Sequence, residues 1–318
     1  MKIGFKIVAC KAIKISAWSV IGLLAVSLGA GGDAWAQKIT PSQVYQVVEN
    51  VEAELALLLD ANFSDTKIPA EQVIPGMRPR HVLREARHVM RQIALLKQIN
   101  ALPVKAIEPI PVREITPGDV KSSVDRVLTE VRALRKPFGI TAKAKPAVLR
   151  QGKKPADVLA RLKVVAELVQ RLDIPAIVPN DVYRIALAIK ADAMQIHAAL
   201  QTPAPQAIPE GIRGKKPPHV YARGYDLLAK LKALTGGNKR LAVPGGVITP
   251  PQKTANLKPA DVLGILNNVL AELSSIKVVT GATETSPTVP AQAGKTPNDV
   301  YIVVEETIAL IAAVARAS

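Results

Sequence analysis

Cysteine is nearly absent from this chain, which has one such residue, Cys10, among 318. Both tryptophans, Trp18 and Trp35, also lie within the first 36 residues. From residue 37 onward the sequence has no cysteine, so disulfides and thiolate chemistry are excluded there. Aromatic residues make up 3% of the whole chain. That is too few for the stacked aromatic faces with which proteins hold sugars or bases.

Motifs for catalysis and metal binding are missing too. The sequence has no His-x-x-x-His or His-Glu-x-x-His pair, no Gly-x-Ser-x-Gly elbow and no glycine-rich phosphate loop after a strand. Its four histidines are too scattered along the chain to predict a metal site. We therefore expect a protein that is not an enzyme and that uses no cofactor and no metal.

The N-terminal 36 residues have the pattern of a secretory signal peptide. Four lysines accompany an apolar run over residues 15–30, and Ala34-Trp35-Ala36 has small residues at the two positions that a signal peptidase recognises. Cleavage is expected near Ala36, which leaves a periplasmic or secreted protein that is not integral to the membrane. The apolar run is shorter than the ~20 residues of a comfortable membrane span. An uncleaved anchor is the alternative.

A short motif recurs eight times after this segment, and Thr296-Pro297-Asn298-Asp299-Val300-Tyr301 represents it. In every copy a valine follows the proline by three residues. The prolines are Pro41, Pro79, Pro117, Pro155, Pro179, Pro217, Pro259 and Pro297. After each valine, apolar residues recur in steps of four and three. This spacing returns to one face of an α-helix and is typical of the seam of a helical bundle, whereas a strand would need a period of two.

The motif itself has the features of a helix start. Proline suits the first helical position because its missing N–H would be unpaired there anyway. Threonine precedes three of the prolines, where its hydroxyl can cap the helix, and aspartate follows five of them by two residues. A carboxylate in the first turn meets free amides and the positive end of the helix dipole. The sequence therefore predicts eight helices that begin at the eight prolines.

Long proline-rich segments separate most of the predicted helices. Such segments favour an extended backbone of ~3.1 Å per residue, so each can return along a helix of about 30 Å. Their apolar residues indicate that they lie on the bundle. The exception is the short link around Pro175, between the fourth and fifth helices.

The spacing of the repeats predicts a tandem duplication. Repeats one and two recur as repeats five and six at an offset of 138 residues, and repeats three and four recur as seven and eight at 142. His81 and His219 follow the first offset. We predict an all-α fold of eight amphipathic helices in which a four-helix unit occurs twice, over residues 37–175 and 176–318. Two separate bundles and one continuous eight-helix array both fit this spacing.

The eighth predicted helix is apolar nearly all the way round. Residues 302–304 and 308–314 are apolar, and the charged residues between these two runs are Glu305 and Glu306. A helix of this kind is usually central to a core or buried against another chain. An oligomer formed through the last helix is therefore an open expectation.

Arginines form a stripe along the second helix. Arg80, Arg84, Arg87 and Arg91 recur in steps of four and three, each two residues before a core position. Two residues are ~200° of helix rotation, so the stripe is expected to point away from its own bundle. One interpretation is an ordinary solvated face. The other is an electrostatic contact with an anionic surface or partner.

The second and sixth helix starts depart from the motif, because they lack both the threonine cap and the first-turn acid. They carry Arg78, Arg80 and His81, and Lys215, Lys216 and His219, respectively. Free amides at a helix N-terminus with cations beside them can hold an anion. These residues, together with the arginine stripe, form the predicted site for an anion or a partner.

The formal net charge of +16 favours an anionic partner. Nucleic acid is a poor candidate because the predicted export and the scarcity of aromatics argue against it. We expect an exported helical-repeat protein that binds or scaffolds, with a basic surface for an anionic envelope polymer, lipid or protein. The alternative is a small-molecule sensor or carrier that binds its ligand between helices of a four-helix unit. The seam is apolar apart from Gly224 and Thr307, which favours the first function.

Overall fold

The computed structural model describes residues 38–290 and 292–317. In these ranges the chain forms eight α-helices, one 3-10 turn (Lys239–Leu241) and no strand. The helices are α1 (Pro41–Ala61), α2 (Pro79–Ile99), α3 (Pro117–Ala133), α4 (Pro155–Gln170), α5 (Pro179–Ala199), α6 (Pro217–Gly237), α7 (Pro259–Thr280) and α8 (Pro297–Ala317). Each begins at a repeat proline, so the predicted all-α fold is confirmed. The predicted signal peptide, residues 1–36, lies outside the described residues.

The helix starts are capped in the way that the motif indicates. At α3, for example, the Thr116 N–H donates to the Asp119 carboxylate at 2.8 Å, and the Asp119 N–H donates back to the Thr116 hydroxyl at 3.3 Å. At α2 and α6 a histidine takes the place of the aspartate. The Nδ1 atoms of His81 and His219 accept from the N–H groups of Arg78 and Lys216, at 3.1 and 3.0 Å. These two starts therefore have a side-chain cap after all.

The four helices of each repeat unit run parallel. The first four repeat prolines and their valines line one small pocket, and the last four prolines and valines line another. The four N-termini of a unit therefore meet at one end. Within the first unit, α1 and α2 each pack against α3 and α4, and not against each other. The pairs α1 and α2, and α3 and α4, thus lie diagonally across the bundle, whereas the consecutive helices α2 and α3 are neighbours.

Parallel helices require connections that run the length of the bundle, which explains the long proline-rich returns. The return from α3 to α4 is fixed on α1 at Ala147, whose N–H donates to Asn50 Oδ1 at 2.7 Å. Its carbonyl accepts from Gln46 Nε2 at 2.8 Å. In the second unit the equivalent return is held at Val289, whose carbonyl accepts from Arg184 Nε at 3.0 Å. The duplication therefore extends to the contacts that hold the returns.

Buried apolar side chains form two clusters, one within α1–α4 and the residues flanking them and one within α5–α8. Among the described helices, α2 and α7 make the contact between the two groups. Lys38–Ser318 forms one compact unit by its contacts, so the predicted division after residue 175 stays a prediction as a domain boundary.

The two bundles run antiparallel to each other. Along α2, the charge of Asp192 acts on Arg84, whereas Asp181 and Arg184 act on Arg91, seven residues further on. Residues later in α2 therefore lie beside residues earlier in α5, so these two helices run in opposite directions. The short link between α4 and α5 fits this arrangement, because it has only to join adjacent ends.

The apolar face of α8 packs inside the second core, where Val303, Val304 and Ile311 are buried. The helix that lies between the two bundles is α7, which contacts α5, α6 and α2. An oligomer contact through α8 stays a prediction.

Candidate anion-binding site

The arginine stripe of α2 points away from its own bundle, but α7 and two returns cover much of it. The Arg80 side chain is 3% exposed. Its Nε and Nη2 donate to Glu272 Oε2 of α7 at 3.1 and 2.9 Å. Its Nη1 and Nη2 also donate to the carbonyls of Pro244 and Gly246. Arg80 is therefore neither a solvated cation nor a contact for an external partner.

His81 completes this cluster. Its Nδ1 accepts from the Arg78 N–H, so the proton is on Nε2, which donates to Glu272 Oε1 at 2.8 Å. The Ile248 N–H donates to the same oxygen at 2.8 Å. Burial raises the pKa of Glu272, but the hydrogen bond from His81 and the charge of Arg80 outweigh it and hold the pKa below its usual value. The anion at the start of α2 is thus a carboxylate of the chain itself.

Arg84 and Arg91 are also drawn into the contact between the bundles. Arg84 Nη2 donates to Ser274 Oγ at 2.8 Å and lies 3.4 Å from Ser286 Oγ. Burial lowers the pKa of each arginine to about 10, so both remain charged at neutral pH. The carboxylates whose charges act on them belong to the protein itself, Asp192 on Arg84 and Glu85 and Asp181 on Arg91. Arg84 Nε, like Arg87 Nε, is buried without a hydrogen-bond partner among the described residues.

The remaining residues of the two helix starts stay accessible but are not brought together. Arg78 is exposed and lies against Gly245, where it leaves no room for a Cβ. At α6, Lys216 and His219 are exposed, and Lys215 Nζ lies 4.4 Å from the centre of the Tyr301 ring. The helices α2 and α6 make no contact in the part of the chain that the structure describes. The two predicted anion sites are therefore separate.

Arg87 is the stripe residue that faces an open space. It lines a cleft of about 220 Å³ between α2, α3 and the return that joins them. The other lining residues are Leu83, Met90, Glu108, Pro109, Pro111, Asp119, Ser122, Ser123 and Arg126. Two guanidinium groups and two serine hydroxyls thus meet around one cleft.

The positive charge in the cleft is only partly compensated. Arg87 Nη1 donates to the Glu108 carbonyl, and Arg126 Nη2 donates to the Ala106 carbonyl. Both acceptors are neutral. The Glu108 carboxylate forms a long ion pair with Arg126, at 3.8 Å from Nη1, and its side chain is 81% exposed. Arg87 Nε is buried and has no hydrogen-bond partner among the described residues. Burial, and then the charge of Arg126, lower the pKa of Arg87.

The second acidic residue of the cleft is engaged elsewhere. The Arg113 guanidinium binds Asp119 through both carboxylate oxygens, and the carboxylate also caps α3 at Thr116. The hydrogen bond from Arg113 is the main reason that the pKa of Asp119 falls to about 2. The arrangement can therefore hold an anion through Arg87 and Arg126, with hydrogen bonds from Ser122 and Ser123.

Sequence patterns identified Arg87 but missed Arg126 and the two serines. Helical periodicity reports which residues face their own core, whereas the cleft depends on where the return crosses between two helices. The available signal was the pair Pro109 and Pro111, which fixes an extended backbone directly before α3.

The fold and cleft define an all-α protein of two four-helix bundles, each made of parallel helices, with an outward-facing basic cleft. Comparison of the chain with protein families, with curated proteins and with solved structures found no match in any of the three.

Among the described residues, no group of three or more His, Cys, Asp or Glu side chains is placed to hold a metal ion. Of the described helices, α7 is long and apolar enough to cross a membrane by length and composition, and 72% of its most apolar window is buried inside the protein. A buried core helix meets the same criteria of length and apolar composition.

Proposed function

We propose that the chain is an exported binding protein whose cleft between α2 and α3 holds an anionic group of its ligand. One observation carries the proposal: Arg87 has a buried, unpartnered Nε beside a second arginine, Arg126, in a cleft with open volume. A buried donor without an acceptor is costly. An entering carboxylate, sulfate or phosphate would supply the acceptor.

The size of the cleft limits what enters it. Its volume of about 220 Å³ lies below the range of roughly 300–1,000 Å³ that holds most small ligands. A single acidic group with its neighbouring atoms fits such a space. The ligand is then an anionic envelope polymer, lipid or protein that inserts one group, and the rest of it lies on the surface.

The alternative function, a carrier with its ligand in the helical seam, has less support. The Thr307 hydroxyl in the seam donates to the Val303 carbonyl at 2.8 Å. The notch at Gly224 is filled by Ile265. These two candidate openings are therefore closed by the protein itself.

Titration calorimetry at low salt with phosphate, sulfate and glucuronate tests the proposal. We expect at least one of them to bind, and Arg87→Met and Arg126→Met each to weaken it tenfold or more, because each removes a charged donor. Arg240→Met is the matched control, since it removes an exposed arginine outside the cleft. Thermal melts verify that each variant is folded. If none of the three anions binds, or if all variants bind alike, the proposal is wrong.

Export is a separate part of the proposal and has its own test. The protein recovered from the envelope fraction or the medium of its own cell should begin at Gln37, which N-terminal sequencing would show. A protein found in the cytoplasm with residues 1–36 intact would overturn export and leave the cleft unaffected.

A further inference from the structure

The end of α3 and the return that follows it form a strongly basic segment. Residues 131–156 contain eight lysines and arginines and no acidic residue. Such a run needs partners or solvent for its charges. The contacts of each cation therefore decide what the segment can bind.

Half of these cations already have partners in the protein. Arg132 and Arg135 bind Glu54, Arg150 lies 3.3 Å from Glu49, and Lys153 Nζ lies 4.2 Å from the centre of the Tyr45 ring. The other four are exposed and form no ion pair within residues 38–290 and 292–317. They are Lys136, Lys143, Lys145 and Lys154.

Aliphatic side chains are exposed between these cations. Val148 is 76% exposed and Leu149 is 39% exposed. The backbone beside them does not move freely, because the N–H and the carbonyl of Ala147 are both bonded to α1. The return therefore presents lysines and an aliphatic pair on a fixed backbone.

The second unit shows that this composition is not needed for folding. At the offset of 142 residues, Thr285, Pro287 and Thr296 stand where the first unit has Lys143, Lys145 and Lys154. The α7–α8 return nevertheless lies on α5 through the equivalent contact at Val289. The lysines were added to, or kept in, one copy only, which indicates a role in binding.

We propose that the α3–α4 return docks on an anionic phospholipid bilayer, with Val148 and Leu149 entering the headgroup region and Lys143, Lys145 and Lys154 contacting lipid phosphates. Unpaired cations match an anionic surface in charge, and lysine stems can extend along apolar surroundings while the ammonium stays in water. Exposed aliphatic side chains between cations are typical of interfacial binding. An acidic protein would match the lysines but would have to bury Val148 in a complementary pocket.

Sedimentation with lipid vesicles tests this surface, with the protein purified after export. We expect binding to vesicles that contain phosphatidylglycerol and not to vesicles of phosphatidylcholine alone, with affinity falling as salt rises. The triple variant Lys143→Thr, Lys145→Thr and Lys154→Thr should bind roughly 100-fold more weakly, at about fivefold for each cation. Val148→Ser should weaken binding severalfold.

The matched control removes the same charge elsewhere. Lys163, Lys230 and Lys232 are exposed on α4 and α6, and their triple change to threonine should retain vesicle binding within severalfold. Equal loss in both triple variants would show that net charge alone is responsible and would overturn the proposed surface. Binding to polyglutamate without binding to anionic vesicles would overturn the lipid as partner.

The proposed docking surface and the proposed anion site in the cleft can be tested separately. Arg87→Met should leave vesicle binding unchanged, and the triple variant in the return should leave the binding of small anions unchanged. Loss of vesicle binding in Arg87→Met would contradict a lipid surface that is separate from the cleft.

Discussion

At the scale of single residues, one charge pair inside each bundle joins side chains from different parts of the chain. Lys277 and Asp192 are at most 1% exposed and lie 2.8 Å apart. Arg135 and Glu54 occupy the equivalent positions of the first unit, at offsets of 142 and 138 residues, and pair in the same way. The duplication has therefore kept the position of a buried ion pair and changed both of its members.

Glu272→Gln should lower the free energy of unfolding by about 3 kcal/mol at pH 7, because Arg80 would then be a buried cation without its counter-charge. The folded state holds the pKa of Glu272 below its usual value of 4.5. The stabilisation is thus present above about pH 4.5 and is lost as the pH falls through the lower value. Chemical denaturation from pH 3 to 8 measures it.

The control for this change is Glu284→Gln, since Glu284 is exposed on the α7–α8 return. It should differ from the native protein by less than about 0.5 kcal/mol. A Glu272→Gln protein as stable as this control at pH 7 would contradict the structural role of the cluster.

Glu52→Gln should act in the opposite direction and raise the melting temperature at pH 7. Burial is the main reason that the pKa of Glu52 is raised, so the folded protein binds this proton more tightly than the unfolded chain does. The ionised carboxylate therefore reduces stability as the pH rises from 4.5, the usual pKa, through the higher folded pKa, and the difference between the two proteins should vanish as the pH falls below 4.5. Melting curves at pH 7 and pH 3 measure this difference. A melting temperature of Glu52→Gln below that of the native protein at pH 7 would contradict the explanation.

The limit of sequence reasoning is visible at the same residues. The position of Arg80 on the outer face of α2 followed from its spacing, but its partner Glu272 is 192 residues away. Periodicity relates a residue to its own helix and says nothing about which other helix covers it. The cap at His81 was also missed, because aspartate is the usual residue there and an imidazole nitrogen is a less familiar acceptor.

At the scale of elements, four parallel helices place four positive dipole ends side by side in each bundle. This arrangement is unfavourable unless anions lie at that end. Asp119 and Asp157 do so in the first unit, and Asp181, Asp261 and Asp299 do so in the second. The long returns are a second consequence of the parallel arrangement, and both were predictable from the repeated motif.

Gly224→Ala should lower the free energy of unfolding by about 1–2 kcal/mol. A Cβ at Gly224 would lie 2.9 Å from Ile265 Cγ2, and Ile265 is itself buried. The matched change is Gly264→Ala on α7, where a Cβ would meet nothing within 4 Å. That change should raise the free energy of unfolding by roughly 0.5–1 kcal/mol. Urea denaturation measures the free energy of unfolding of the two variants. If both substitutions stabilised the protein, the packing between α6 and α7 around Gly224 would be looser than the structure shows.

At the scale of the whole molecule, two bundles with separate cores are held together across α2 and α7. Because the bundles run antiparallel, the summed helix dipoles of one oppose those of the other.

The native protein should unfold in one calorimetric transition, because the buried cluster at Glu272 couples the two cores. Glu272→Gln should lower the transition temperature and weaken the coupling, so that the transition becomes broader, since each bundle has a core of its own. A single symmetric transition in both proteins would mean that the apolar part of the α2–α7 contact is sufficient for coupling.

Anion binding between α2 and α3 is tested most directly by anomalous diffraction from crystals soaked in selenate. A selenium peak in the cleft, placed so that a selenate oxygen accepts from Arg87 Nε, is the predicted result, and the peak should disappear in crystals of Arg87→Met. Selenium peaks at exposed lysines with none in the cleft would contradict it.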